Sequence, residues 1–288
     1  MKHWTLDQVA WDRFDAARAE PALVPLVKAA ALVEHNGNDY ATYLCSVFHD
    51  DPDFQQAARN WAVEEVQHGQ ALGRWAKLAD AGFDFDDAFA RFRQGYKLPL
   101  SAETSVRGTR TGELIARCMV ETGTSSYYTA LADATQEPVL EQVCRLIAAD
   151  EYRHFKLFYD HMKRYLAREK LGVIDRARIA LGRITETEDD ELAFAFHCAN
   201  NPPGSDYHHD ESMAGYLARA IAYYQPHHVQ RGTGMIFKAV GLPPRGRMSD
   251  LAARGGFALM QRRRRRMERI LERAAAAGGA QGELAQAA

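Results

Sequence analysis

The chain has 288 residues, 47% of them hydrophobic and 26% charged, and a formal net charge of −2. That length supports one large domain with a substantial apolar core, and the near-balanced charge gives no overall attraction to nucleic acid or to an anionic membrane. The longest apolar stretch, Ala22 to Val33, contains Pro25 and Lys28 and is far too short to span a bilayer.

The N-terminal residues carry charges where a secretion signal needs an apolar centre, so the expected location is the cytoplasm. Cys45, Cys118, Cys144 and Cys198 lie far apart with no CxxC pair, as expected of reduced, buried thiols in that compartment. Ala, Leu, Glu and Arg are abundant and β-branched runs are short, which predicts an all-α chain. A first long helix is expected over about Pro21 to Phe48, with Pro25 tolerated in its first turn. Asp50-Asp51-Pro52-Asp53 reads as a tight turn and helix cap, and the second helix runs from about Asp53 to Ala79. Asp80-Ala81-Gly82 ends it, and residues 83 to 110 are irregular or hold short helices. The third helix is expected over Thr111 to Ala134 and the fourth from near Glu137 to Glu169, with Pro138 in its first turn and Gly172 in its C-cap region. After the linker Asn200 to Ser205, helices are expected over Met213 to Val240 and Ser249 to Ala275. The whole reads as a single domain over residues 1–276, with a bundle core at about 21–169, additional C-terminal helices at about 188–276, and a disordered tail at 277–288.

One regularity outweighs these boundaries. Glu34 precedes Glu65 by 31 residues, and Glu65 heads Glu65-x-x-His68; Glu121 precedes Glu151 by 30, and Glu151 heads Glu151-x-x-His154. A hairpin of two helices, with a turn of about four residues and about 13 residues of helix on each side, brings both acids of each pair to one height. Residues i and i+3 share a helix face, so each ExxH points a carboxylate and an imidazole the same way. Four carboxylates and two imidazoles are the ligand set of ferritin-like di-iron and di-manganese bundles. Oxygen-rich sites with imidazole suit iron, and manganese also fits. Without metal, four acids meeting in a core would be prohibitively costly. The expected ligands of two iron ions are therefore Glu34, Glu65, His68, Glu121, Glu151 and His154. Glu64 and Asp150 precede the two motifs, and across the bundle Asp150 is expected to accept the outer ring proton of His68 and Glu64 that of His154.

The segments Trp61-Ala62-Val63-Glu64-Glu65-Val66-Gln67-His68-Gly69 and Ala148-Ala149-Asp150-Glu151-Tyr152-Arg153-His154 resemble the two signature helices of soluble acyl-[acyl-carrier-protein] desaturases. Leu242-Pro243-Pro244-Arg245, followed by an arginine-rich helix, resembles their C-terminal segment. The likeness covers roughly residues 25 to 165; a departure is Phe155, where those enzymes carry glutamate. The resemblance implies a homodimer whose iron pair, reduced by a ferredoxin-like donor, uses oxygen to take two hydrogens from a carrier-bound acyl chain and leave a cis double bond. It also implies that Thr124, one turn after Glu121, lies near the oxygen site, with Gly123 leaving room beside the metals; helix packing and a bond back to its own helix are the structural readings of these two. Oxygenases acting on small molecules or modified tRNA share the ligand set, and iron storage is the alternative with least chemistry.

The run Arg262, Arg263, Arg264, Arg265 and Arg266 is either a solvated helix face or a docking surface for an acidic partner, acyl carrier protein or ferredoxin. Nucleic acid is a weaker match to one isolated run. His208-His209-Asp210 and His227-His228 read as exposed histidines, and Trp61 and Trp75 as core residues or members of an electron route.

Overall fold

The computed structural model describes residues 3–185 and 190–286, with side chains described over 3–184 and 191–276. Among the described residues the chain is helical throughout, with no strand. Eleven α-helices are described: α1 (Val24–His35), α2 (Gly37–Val47), α3 (Pro52–Ala79), α4 (Phe85–Gly95), α5 (Arg110–Ala134), α6 (Pro138–Glu169), α7 (Val173–Thr185), α8 (Asp190–Asn200), α9 (His209–Ala222), α10 (Pro226–Val240) and α11 (Arg247–Gln286). No described helix is long and apolar enough to cross a membrane.

The hairpins that set the height of the acids are closed by side-chain caps. Asp51 accepts the Phe54 N–H at the start of α3, with Pro52 in its first turn. Glu137 does the same for α6, accepting Val139 N–H at 3.2 Å and Leu140 N–H at 2.7 Å. Each cap satisfies donors that a helix N-terminus leaves unpaired. Glu137, wholly buried, also accepts the Trp75 indole N–H at 2.6 Å and the Asp15 N–H at 3.1 Å. It thereby ties α3 and the N-terminal arm to the head of α6.

The four-helix core is formed by the α1–α2 segment, α3, α5 and α6, with α5 packed on α6, α3 on α6, and α1 and α2 on α3. Around it, α8 packs on α1 and α4, α9 on α8, α10 on α5, and α11 on α9 and α10. The apolar core is split into two clusters. One holds Leu32, Leu72, Trp75, Tyr128, Leu131 and Ile147, the other Leu44, Trp61, Leu114, Cys118, Phe155 and Phe158. On each of the four core segments the glutamates and histidines of the expected site fall between these two sets. A buried polar layer thus divides the core.

Three expected helices end differently. The first is two helices, broken at Asn36 (φ −81°, ψ 6°), because α3 comes very close at that point. A Cβ on Gly37 would lie 2.5 Å from the Glu65 Cβ, and one on Gly69 would lie 2.5 Å from the His35 backbone nitrogen. The expected helix 213–240 is also two, α9 and α10, separated at Tyr223–Gln225. Pro226 lacks an N–H and its ring crowds the preceding turn, so it opens α10 instead of sitting inside a longer helix. The last helix runs on through Gln286, past the Ala275 end and into the segment expected to be a tail. At the end of α6 the left-handed position falls on Lys170 (φ 53°) and not near Gly172.

Candidate metal centre

Glu34 comes from α1, Glu65 and His68 from α3, Glu121 from α5, and Glu151 and His154 from α6; none is more than 8% exposed. They form two groups, Glu34, Glu65, His68 and Glu151, and Glu65, Glu121, Glu151 and His154, each with ligand atoms within 4.8 Å of one another. Glu65 and Glu151 belong to both. His68 Nδ1 lies 3.3 Å from Glu151 Oε1 and 3.5 Å from Glu34 Oε2. His154 Nδ1 lies 3.0 Å from Glu65 Oε1, 3.5 Å from Glu151 Oε1 and 3.7 Å from Glu121 Oε2.

Most of these side chains are fastened at one end and open at the other. Glu34 Oε1 accepts the Tyr128 hydroxyl at 2.5 Å, Glu121 Oε1 accepts from Arg117 Nη2 at 3.3 Å, and Glu151 Oε2 accepts the Thr124 hydroxyl. His68 Nε2 meets Asp150 Oδ2 at 2.9 Å and His154 Nε2 meets Glu64 Oε2 at 3.2 Å. Facing inward, Glu34 Oε2, Glu65 Oε1, Glu151 Oε1 and both Nδ1 atoms are buried without a hydrogen-bond partner. Buried polar atoms are ordinarily paired. Five orphans converging on one layer, all able to donate electron pairs, fit a pair of hard cations.

The electrostatics are those of a site short of positive charge. Glu65 is held well above the usual carboxylate range by burial and by Glu151 and Glu34. Glu121 is pushed up to about 7, by burial first and then by Glu151. Burial would also raise Glu151, but the His154 and His68 imidazoles close to it outweigh burial and hold that carboxyl well down. Burial opposes charge on the imidazoles, yet Asp150, Glu151 and Glu34 lift His68, and Glu121, Glu151, Glu64 and Glu65 lift His154, well above the usual range. Metal-free, the histidines serve as counter-cations and the shared carboxylate pair retains a proton.

Thr124 is half-buried, and its hydroxyl lies near both Glu151 and the Val120 and Glu121 carbonyls of its own helix, at 3.2 and 3.3 Å. Gly123 faces outward, exposed, with nothing within 4 Å of where a Cβ would stand. It therefore leaves no space beside the metals, contrary to expectation.

Trp4 escaped the sequence reading. Its indole N–H donates to Asp150 Oδ2 at 2.8 Å and its ring stacks on His68, with centroids 6.1 Å apart. It sits on an N-terminal arm held by short 3-10 turns and by Gln67, whose amide donates to the Trp4 carbonyl at 3.0 Å. Of the tryptophans considered from sequence, Trp61 stands edge-on to His154 at 6.4 Å, while Trp75 is committed to Glu137. Arg117 was missed as well.

His227, His228 and Asp133 make a third possible ligand group, but its geometry is that of a helix cap. His228 Nδ1 accepts the Gln225 N–H at 2.9 Å and its Nε2 meets Asp133 Oδ2 at 3.0 Å, which occupies both ring nitrogens. His208 precedes α9 and His209 opens it. In the arginine run, Arg262, Arg265 and Arg266 are exposed, and Arg263 and Arg264 half-buried. Arg264 Nε donates to Glu268 at 2.8 Å.

The family model described as fatty acid desaturase matches residues 22–183, more than half of the chain and the stretch that supplies all six ligand candidates. No curated protein matches the chain.

Proposed function

Since the chain belongs to the fatty acid desaturase family, we propose that it is an oxygen-dependent di-iron oxidoreductase. It takes two hydrogens from a fatty acyl chain held on a carrier protein, with electrons from an external ferredoxin-like donor. The observation that carries this reading is the pair of overlapping ligand groups sharing Glu65 and Glu151, with their inward atoms unpartnered. When bound, two irons supply the redox capacity to oxidise an unactivated carbon chain with oxygen; manganese fits the same donors.

The chain's own residues have separable tasks. Glu34 and His68 would hold one ion and Glu121 and His154 the other, with Glu65 and Glu151 within reach of both. Asp150 and Glu64 keep each imidazole proton on Nε2, which leaves the Nδ1 lone pair aimed inward. Thr124 orients Glu151 and can hold a proton at Oγ1 beside the site. The hydrogen-bonded series Trp4–Asp150–His68 gives an incoming electron a bonded route to a ligand. The exposed arginines of α11 offer an acidic carrier or donor a landing surface, and the active species is a cytoplasmic homodimer.

A second reading has one observation in its favour. A cavity of about 130 Å³ beside Arg117 is lined by Tyr40, Tyr43, Tyr96 and Glu113 among others. Leu98, Pro99, Val106 and Val120 line it as well, and it is smaller than the roughly 300 Å³ at the low end of ligand pockets. That size suits an oxygenase acting on a small molecule.

Iron(II)-loaded protein, reduced without oxygen and then exposed to it with candidate acyl-carrier substrates, distinguishes the readings by product mass. Loss of two hydrogens supports desaturation. Gain of one oxygen atom replaces it with oxygenation, and iron uptake far beyond two per chain with unchanged substrate replaces it with storage.

A further inference from the structure

The two halves of the site have matching ligands but unequal surroundings. Arg117 lies one turn before Glu121 on α5, only 7% exposed, with Nη2 3.3 Å from Glu121 Oε1. Three aromatic rings surround its guanidinium: Trp61 at 4.9 Å, Tyr40 at 5.1 Å and Phe158 at 5.6 Å from carbon to ring centroid. Cation–π attraction on these faces offsets part of the cost of burying the charge, so the cation is held in place against the ligand. The matching outer position on Glu34 is taken by a neutral donor, the Tyr128 hydroxyl. Arg153 does not distinguish the halves, because it meets both outer acceptors, Glu64 at 3.4 Å and Asp150. Among the described residues, no other lysine or arginine is paired with any of the four ligand glutamates.

A fixed positive charge beside one ligand raises the free energy of a cation at that end, and does so more for a trivalent ion than for a divalent one. In a buried site this effect is weakly screened. We propose that Arg117 is a positioning residue that makes the two metal positions unequal: the Glu34–His68 position fills first and more tightly, and the Glu121–His154 position holds the weaker, more easily reduced ion. The inference rests on the di-metal reading above. It adds an order of filling and a division of redox roles to a ligand set that is symmetric in composition.

The test is anaerobic calorimetric titration of the metal-free full-length protein with iron(II). The wild type is expected to fill in two steps differing by about tenfold or more in affinity. Arg117→Gln, which keeps a hydrogen-bond donor and drops the charge, should tighten the weaker step by about tenfold and bring the two together. Arg117→Lys should restore the wild-type separation. Two variants check the order without touching Arg117: Glu121→Ala, which spares the Glu34–His68 position, should bind its remaining ion more tightly than Glu34→Ala binds its own. In the iron-loaded protein, Arg117→Gln should shift the reduction midpoint to lower potential while Arg117→Lys leaves it in place. Two identical steps in the wild type, the reverse order in the single-position variants, or equal loss of the second ion in Arg117→Gln and Arg117→Lys would overturn the proposal. The last result would reduce Arg117 to a prop for Glu121. No metal bound by the wild type would instead sink the di-metal reading itself.

Discussion

Gly69 follows the ligand candidate His68 on α3 and faces the junction of α1 and α2. A Cβ there would stand 2.5 Å from the His35 backbone nitrogen, 2.6 Å from its Cβ and 2.7 Å from its Cα. Ordinary carbon contacts lie at about 3.5–4.0 Å, so the junction would have to retreat by roughly 1 Å. Because the obstacle is mainly backbone, no side-chain rotation relieves it. Overpacking of this kind costs about 1–3 kcal/mol, while alanine in place of glycine returns about 1 kcal/mol of helix propensity. With the obstacle in backbone the cost falls at the upper end, so Gly69→Ala should lose about 1–2 kcal/mol and lower Tm by about 2–3 °C. Glu34 is the residue before His35, so the same retreat draws a ligand away and iron content should fall below two per chain. Gly123→Ala is the control: the same chemical change within a helix, but with no neighbour to meet, so it should gain up to about 1 kcal/mol and keep both irons. Thermal unfolding and metal analysis of the two variants read both quantities. A Gly69→Ala protein with wild-type Tm and full iron content would refute the argument from close approach.

Glu65→Ala and Glu151→Ala each remove a residue common to both ligand groups and should abolish oxygen-driven oxidation of the diferrous protein; a wild-type single-turnover rate in either would end the assignment. Thr124→Val should keep iron loading but uncouple oxygen use from product, measured as peroxide released per product formed, and unchanged coupling would return Thr124 to helix packing. Trp4→Phe should keep iron content yet slow reduction by an external donor, seen in stopped-flow bleaching of the oxidised site, with an unchanged rate excluding the Trp4–Asp150–His68 route. Metal uptake must displace protons from Glu121, whose metal-free value is about 7, and from the raised histidines and Glu65. The deprotonated forms bind, so iron affinity should climb as pH rises through about 7, with protons released on binding, and a pH-independent affinity would contradict the burial of these groups.

The buried layer of glutamates and histidines was legible because its signals are local. Helical periodicity puts i and i+3 on one face, and the intervals of 31 and 30 residues encode two hairpins without any tertiary information. The break at Asn36 left a trace in the sequence, an Asn-Gly pair of the kind that ends helices. What makes the break necessary is the approach of Glu65 and Gly69 on α3, which no local pattern displays. Pro226 was the plainer signal, and the apolar periodicity on either side of it obscured the end of α9. Trp4 carried no signal at all, since it meets Asp150 across 146 residues from an arm with no repeating pattern.

Arg117 shows the deeper limit. In sequence, an arginine four residues before a glutamate on one helix reads as a solvated ion pair of small consequence. The two apolar clusters lie on either side of the ligand layer and bury it, so the same pair becomes a buried charge acting on whatever Glu121 holds. Its importance comes from the height at which α5 is packed, which also places Tyr40, Trp61 and Phe158 around it. Spacing identifies which side chains can bind metal; the apolar halves of the core determine how strongly each neighbouring charge is felt there.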